Sequence, residues 1–106
     1  MTAQAPDAGV TFINTFTLST TPEEFEEAFS RTAEFMARQP GFVEHTLMRH
    51  STDGSRYVNI ARWNDAQSLR RAVAQPEFQP HAAALRALST SEPHLYLPRT
   101  TVRATN

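Results

Sequence analysis

Residues 57–63, Tyr-Val-Asn-Ile-Ala-Arg-Trp, form a segment that is apolar on both sides when it is given the two-residue period of a β-strand. One face carries Tyr57, Asn59, Ala61 and Trp63, and the other carries Val58, Ile60 and Arg62. An amide beside the single Trp can orient a flat aromatic ligand, but neither group is an acid, a base or a nucleophile. The segment therefore predicts a central strand covered on both sides, at a site where the substrate supplies the chemistry.

The residue types that the chain lacks exclude most enzyme classes. There is no Cys, which excludes disulfides, thiolate catalysis and iron–sulfur clusters, and all ten basic residues are Arg, which excludes Schiff-base chemistry and a P-loop. The three glycines are too scattered for a dinucleotide-binding loop. The four His show no metal-binding spacing. We therefore expect no metal and no cofactor.

Length and charge indicate one small domain in the cytoplasm. The 106 residues include 40% hydrophobic and 20% charged ones, which is typical of an ordinary globular protein. Ten basic and eleven acidic side chains are spread along the chain, so no basic stripe predicts a nucleic acid or a membrane as a partner. No apolar run has transmembrane length. Because a chain of this size buries only a thin core, dimerisation would cover a second apolar surface.

Periodicity predicts four strands and three helices. The strands are expected at about 10–18, 42–51, 56–63 and 94–97, and the helices at about 22–38, 65–75 and 80–88. Thr21, Pro22 and Glu24 form an N-terminal capping pattern for the first helix, and Asn64 with Gln67 for the second. Residues 1–8 and 99–106 show no pattern and are expected to be flexible tails around a domain at 9–98.

This order predicts the α+β class, a ferredoxin-like split βαβ fold with a four-stranded antiparallel sheet and helices on one face. The first and third strands are then neighbours, so Asn14 meets Asn59 and Trp63 under the helices. The opposite face is too apolar for water and predicts a homodimeric α/β barrel; it carries Ile13, Thr15, Val58 and Ile60. In the second strand, simple alternation places His45 opposite Phe42 and Met48, at the dimer interface.

Several segments resemble the antibiotic biosynthesis monooxygenase family. The general marks are QPGF at 39–42, YVNIARW at 57–63 and SLRRAVAQPEFQPH at 68–81. Within the family, residues 32–47, 57–63 and 85–92 are most similar to the anthrone oxygenases of anthracycline pathways, and the resemblance covers about 10–98. It implies a dimeric oxygenase that uses O2 without metal or flavin and oxidises an anthrone-type aromatic polyketide to a quinone.

The resemblance also implies the site residues. The catalytic Asn of the first strand and the Asn and Trp of the third are matched by Asn14, Asn59 and Trp63. Another branch has a tyrosine where this chain has Leu69, so a tyrosine-based proton transfer is not implied. We expect His81, in the first turn of a helix, to face the pocket as a candidate proton acceptor. The residues predicted to contact the substrate are Phe12, Phe16, Phe29, Met48, Tyr57, Leu69 and His81.

Two alternative functions remain open from the sequence. A haem-degrading branch of the same family uses Asn, Trp and His; Asn14 matches its Asn, but Ala72 stands at its Trp position and His81 lies one residue away from its His. A non-oxidative polyketide-binding or cyclase module would keep the pocket but consume no O2. A colourless purified protein would argue against the haem alternative, and O2 uptake would argue against the binding module.

Overall fold

The computed structural model describes residues 9–105, which form four strands and three helices. The strands are β1 (Val10–Leu18), β2 (Phe42–Arg49), β3 (Arg56–Trp63) and β4 (Ser89–Tyr96). The helices are α1 (Pro22–Ala37), α2 (Ala66–Ala74) and α3 (Phe78–Leu88). The predicted tail at 1–8 lies outside the described residues. Within 9–105, no helix is long and apolar enough to cross a membrane.

The four strands form one antiparallel sheet in the order β2-β3-β1-β4. The central pair, β1 and β3, is in unbroken register from Val10 opposite Trp63 to Thr17 opposite Arg56. All three helices pack on the face that carries Trp63, and this arrangement confirms the predicted ferredoxin-like fold. Because register partners share a face, Asn14 and Asn59, which lie opposite each other, both point towards the helices.

The first two helices begin at side-chain caps. The Thr21 hydroxyl accepts a hydrogen bond from the backbone N–H of Glu24 over 3.2 Å, as predicted. The cap of α2 is Asp65, whose carboxylate accepts the N–H of Ser68 over 2.7 Å. The prediction of Asn64 was wrong by one residue, because Asn and Asp are equally good caps. The bond from the Ser68 N–H lowers the pKa of Asp65 below its usual value.

The last two elements begin earlier than predicted. α3 starts at Phe78 rather than at residue 80, since Pro80 lies within the first turn, where helical N–H groups have no partner inside the helix. β4 starts at Ser89 rather than at residue 94 and includes Pro93. A proline is tolerated there because β4 is an edge strand of the sheet.

β2 contains a bulge that the sequence pattern does not reveal. Phe42 pairs with Trp63, but the next paired residue, Glu44, lies opposite Arg62, so the register shifts between them. Val43 is the extra residue and is 45% exposed. One extra residue turns every following side chain to the other face of the sheet.

The bulge reverses the predicted orientation of His45 and Met48. His45 pairs with Ala61 and Leu47 pairs with Asn59, so both face the helices. Met48 lies on the open face and is 42% exposed. The placement of His45 at a dimer interface and of Met48 beside Phe42 was therefore wrong, because both rested on uninterrupted alternation.

The buried core is divided into two clusters. One contains Val10, Ala61, Trp63, Leu69 and Ala72, at the end of β3 that leads into α2. The other contains Phe16, Phe25, Phe29 and Tyr57, at the opposite end of the same strand. Between the two clusters the sheet and the helices enclose a cavity.

Candidate active site

The cavity and the open solvent at its mouth together have a volume of about 600 Å³. Three strands and three helices contribute to its wall. β1, β2 and β3 contribute Phe12, Asn14, Phe16, Phe42, His45, Asn59, Ala61 and Trp63. α1, α2 and α3 contribute Phe29, Thr32, Ala33, Met36, Leu69, Val73, Phe78 and Leu85. No Asp, Glu or Arg of residues 9–105 is among them, so the wall is mostly apolar and carries no permanent charge.

The two predicted asparagines meet in this wall as register partners on β1 and β3. Asn59 is 8% exposed, and its Oδ1 lies 3.1 Å from Nδ1 of His45. The Oδ1 atom of Asn14 is buried and has no hydrogen-bond partner among the described residues. A buried amide oxygen without a partner costs about 1–3 kcal/mol. The pair therefore offers two amide groups to a ligand, and one of them has an unused acceptor.

Trp63 closes one end of the cavity. It is 2% exposed, and its ring meets that of Phe42 edge to face, with 5.2 Å between the ring centroids. Its position on β3 is two strand steps from Asn59, as the alternation of 57–63 predicted. The side chains of these two residues and of Asn14 are thus brought together, although they are 49 positions apart along the chain from first to last.

The residues predicted to contact the substrate fall into two groups. Four of them line the cavity: Phe12, Phe16, Phe29 and Leu69. Three do not: Met48, Tyr57 and His81. Met48 is on the other face of the sheet, and His81 packs outside the cavity against the ring of Phe35, at 5.6 Å between ring centroids.

Tyr57 lies outside the cavity wall, in the second core cluster, where its ring centroid is 5.0 Å from that of Phe25. Its hydroxyl donates to the Glu26 carboxylate. Burial, with the carboxylate as a further cause, raises the pKa of Tyr57 to about 12. This side chain supports the site from outside and is neutral over the physiological range.

His45 is the main residue that sequence reasoning missed. Its imidazole lies between the rings of Phe29 and Phe42, at centroid distances of 5.7 and 6.2 Å, and it contacts Asn59. The strand pattern gives no signal for the bulge that turns it inward. The sequence did indicate that Thr32, Ala33 and Met36 face inward, because the helical period places them on the same apolar stripe of α1 as Phe29. It does not show whether such residues belong to the core or to the cavity wall.

Comparison with known proteins gives concordant matches. Residues 12–84 match the family model described as antibiotic biosynthesis monooxygenase. The chain is 59% identical over 93 residues to deoxynogalonate monooxygenase of Streptomyces nogalater, a match that covers 88% of this chain and 79% of that protein.

Two solved structures extend this comparison. SnoaB, a cofactor-independent oxygenase from Streptomyces nogalater, superposes with a TM-score of 0.89 at 57% identity, covering 92% of this chain and 99% of SnoaB. A monooxygenase from the gene ActVA-Orf6 of Streptomyces coelicolor, in complex with the ligand nanaomycin D, superposes with a TM-score of 0.77 at 25% identity, covering 94% and 96%.

Proposed function

Since this chain belongs to the antibiotic biosynthesis monooxygenase family, we propose that it oxidises an anthrone-type aromatic polyketide to the corresponding quinone with O2. The family and the monooxygenase class predicted from the sequence are confirmed. SnoaB is a cofactor-independent oxygenase, and we extend this property to the present chain. The substrate class is supported by the name of the deoxynogalonate relative and by the nanaomycin D ligand of the Streptomyces coelicolor monooxygenase.

The observation that carries the proposal is the pair of amides, Asn14 and Asn59, in a wall that is otherwise mostly apolar and aromatic. A flat polycyclic phenol would bury its rings against Trp63 and the phenylalanine side chains, where the stabilisation comes from apolar area and ring contacts. Its oxygen atoms would meet the amides. Asn14 lines the cavity beside Asn59, so its amide is the second polar group that a substrate oxygen would approach.

The reaction needs little from the protein, because the substrate is a carbon acid. Loss of one proton from the CH2 group gives an enolate, and this anion transfers one electron to O2. The resulting radical and superoxide combine, so that a C–O bond forms and a hydroperoxide results. Loss of the remaining C–H proton with cleavage of the O–O bond then releases water and leaves the C=O group. The balance is CH2 plus O2 to C=O plus H2O.

The role of the amides in this sequence is to stabilise the enolate. Because Asn59 Oδ1 lies beside His45, its Nδ2 is the group free to donate to a ligand. A donor held in place beside a developing oxyanion stabilises it by about 2–4 kcal/mol. Asn14 contributes from the neighbouring strand, and Trp63 fixes the plane of the ring system.

We also propose a homodimer assembled through the open face of the sheet. The centre of this face carries Ile13, Val58 and Ile60, and Met48, which is 42% exposed, lies beside them on β2. A contiguous apolar surface of this kind is characteristic of an interface. Packing against a second sheet would complete the two-sheet barrel predicted from the sequence.

The test is O2 uptake by metal-stripped protein given dihydroxyanthrone, followed together with quinone absorbance. We expect uptake above the rate without enzyme, with kcat lowered about 10²- to 10³-fold in Asn59→Ala. Asn64→Ala is the matched control and should keep the activity of the parent chain, because Asn64 is exposed beyond the end of β3.

Other results would favour the alternative functions. Binding of the anthrone without O2 uptake would identify a polyketide-binding or cyclase module. A Soret band in the purified protein, with activity that depends on it, would identify a haem enzyme of the same fold.

A further inference from the structure

One ionisable side chain lines the cavity. Among the wall residues that the structure describes, only His45 has a side chain that can act as a base. We propose that His45 is the catalytic residue that takes the proton from the substrate CH2 group, at its Nε2 atom. This inference rests on the proposed oxygenation of an anthrone. The amides stabilise the enolate in that reaction but cannot take the proton, and the inference assigns this role to His45.

The contact with Asn59 determines which ring nitrogen is available. Nδ1 of His45 lies 3.1 Å from Oδ1 of Asn59, and an amide oxygen can only accept. Nδ1 therefore carries the ring proton, and in the neutral imidazole the lone pair is on Nε2. Within residues 9–105, Nε2 makes no hydrogen bond to the protein, so it is free to accept from a ligand.

The same hydrogen bond fixes the amide of Asn59. With Oδ1 bound to the imidazole, the Nδ2 donor is the group left for the substrate oxygen. The base that removes the proton and the donor that stabilises the resulting enolate are thus held in one rigid unit. The rings of Phe29 and Phe42 are the aromatic neighbours of the imidazole, at centroid distances of 5.7 and 6.2 Å.

The proton balance closes with His45 unchanged. Cleavage of a C–H bond moves one proton to Nε2 and leaves the electron pair on the substrate as the enolate. After electron transfer to O2 and formation of the C–O bond, the imidazolium returns its proton to the peroxide anion. The oxidant is O2, which the proposed reaction already consumes, and no other co-reactant is needed.

Other histidines do not meet the same geometry. His81 packs against Phe35 outside the cavity wall, and His94 lies on β4, exposed and 3.2 Å from the Glu92 carboxylate. Tyr57 is not part of the cavity wall, and its hydroxyl donates to the Glu26 carboxylate. Position in the wall and the bond to Asn59 therefore distinguish His45 from every other titratable group of residues 9–105.

The decisive variant is His45→Asn, because an Asn side chain can place a donor near the position of Nδ1 but cannot take up a proton. We expect kcat for dihydroxyanthrone to fall about 10²- to 10⁴-fold at neutral pH, while the affinity for the quinone product is unchanged. When the pH is raised until the anthrone is ionised in solution, His45→Asn should approach the rate of the parent chain. Asn59→Ala should stay slow, because it lacks the donor rather than the base.

His81→Asn is the matched control and should be as active as the parent chain, because His81 packs against Phe35 outside the cavity wall. Full activity of His45→Asn at neutral pH would overturn the inference, as would a loss of activity that persists when the substrate is already ionised. A large loss in His81→Asn beside an active His45→Asn would overturn it in favour of His81. If the parent chain takes up no O2, the proposed function fails and this inference fails with it. If the parent chain takes up O2 and His45→Asn is equally active at neutral pH, only this inference fails.

Discussion

The side chain of Tyr57 connects the second core cluster to the exposed side of α1 through one hydrogen bond. The ring is 4% exposed, while the Glu26 carboxylate that accepts its hydroxyl belongs to an exposed residue of the helix. Burial raises the pKa of Tyr57 to about 12, from the ordinary value of 10.0. The folded chain therefore holds this proton more tightly than the unfolded chain does.

Linkage predicts how this tyrosine changes stability with pH. Between about pH 10 and pH 12 the unfolded chain loses the phenolic proton first, so the free energy of unfolding falls as the pH rises; below pH 10 the contribution is complete. The loss across this range is about 2 kcal/mol for Tyr57. In Tyr57→Phe this part of the decline should be missing. Urea unfolding at about pH 9 and about pH 11.5 measures it.

Tyr96→Phe is the control for this measurement. Tyr96 is 51% exposed, so its removal should leave the pH dependence of the parent chain in place. Equal pH dependence of Tyr57→Phe and the parent chain would show that the buried hydroxyl is not the group responsible.

Residue-level prediction succeeded where alternation is unbroken. β1 and β3 pair without a shift, so the period of two correctly placed Asn14, Asn59 and Trp63 on one face. His45 was misplaced because a single extra residue, Val43, changes the phase of β2. No residue type near Val43 predicts the bulge from sequence, and only the pairing of β2 with β3 shows it.

At the scale of the elements, the junction between α1 and β2 determines how β2 enters the sheet. Gly41 has φ of 89°, a left-handed conformation, and its carbonyl accepts the Asn64 N–H over 2.7 Å. A Cβ atom at this position would lie 2.2 Å from Oγ of Ser68 in α2. The glycine thus allows β2, β3 and α2 to approach one another just before the bulge.

Gly41→Ala should therefore destabilise the fold by about 1–3 kcal/mol, from backbone strain and from the contact with Ser68. It should also weaken catalysis, since β2 carries His45 into the cavity. Urea unfolding and O2 uptake of the same sample measure both effects. Gly54→Ala is the control: its Cβ would meet only the flexible guanidinium end of Arg49, and little change is expected. Equal stability of the two variants would contradict this account.

Element boundaries were predicted well where capping chemistry marks them and less well elsewhere. Thr21 and Pro22 start α1 as expected, while Asn64 and Asp65 offered two adjacent caps of similar strength. β4 was predicted too short because Pro93 reads as a break unless the strand is known to be at an edge. That information belongs to the sheet and not to the local sequence.

For the whole molecule, the open face of the sheet is the feature that bears on assembly. Ile60 lies near its centre, opposite Ile13 on β1 and Thr46 on β2. A charge here would be buried without a partner in the proposed dimer. We expect the parent chain to have twice the mass of one chain in light scattering, and Ile60→Glu to have the mass of one.

Arg70→Glu is the control, because Arg70 is exposed on α2, which packs on the other side of the sheet. It should keep the mass of the parent chain. A parent chain that has the mass of a single chain at all concentrations would exclude the dimer.

The division of the core into two clusters has a consequence for how folding and recognition are related. The cavity lies between the two clusters, and Trp63 of one cluster and Phe16 of the other both line it. An aromatic ligand would supply the contacts that the chain does not make for itself. A substrate bound there would complete the apolar interior, and the free energy of unfolding would be higher with substrate bound than without it.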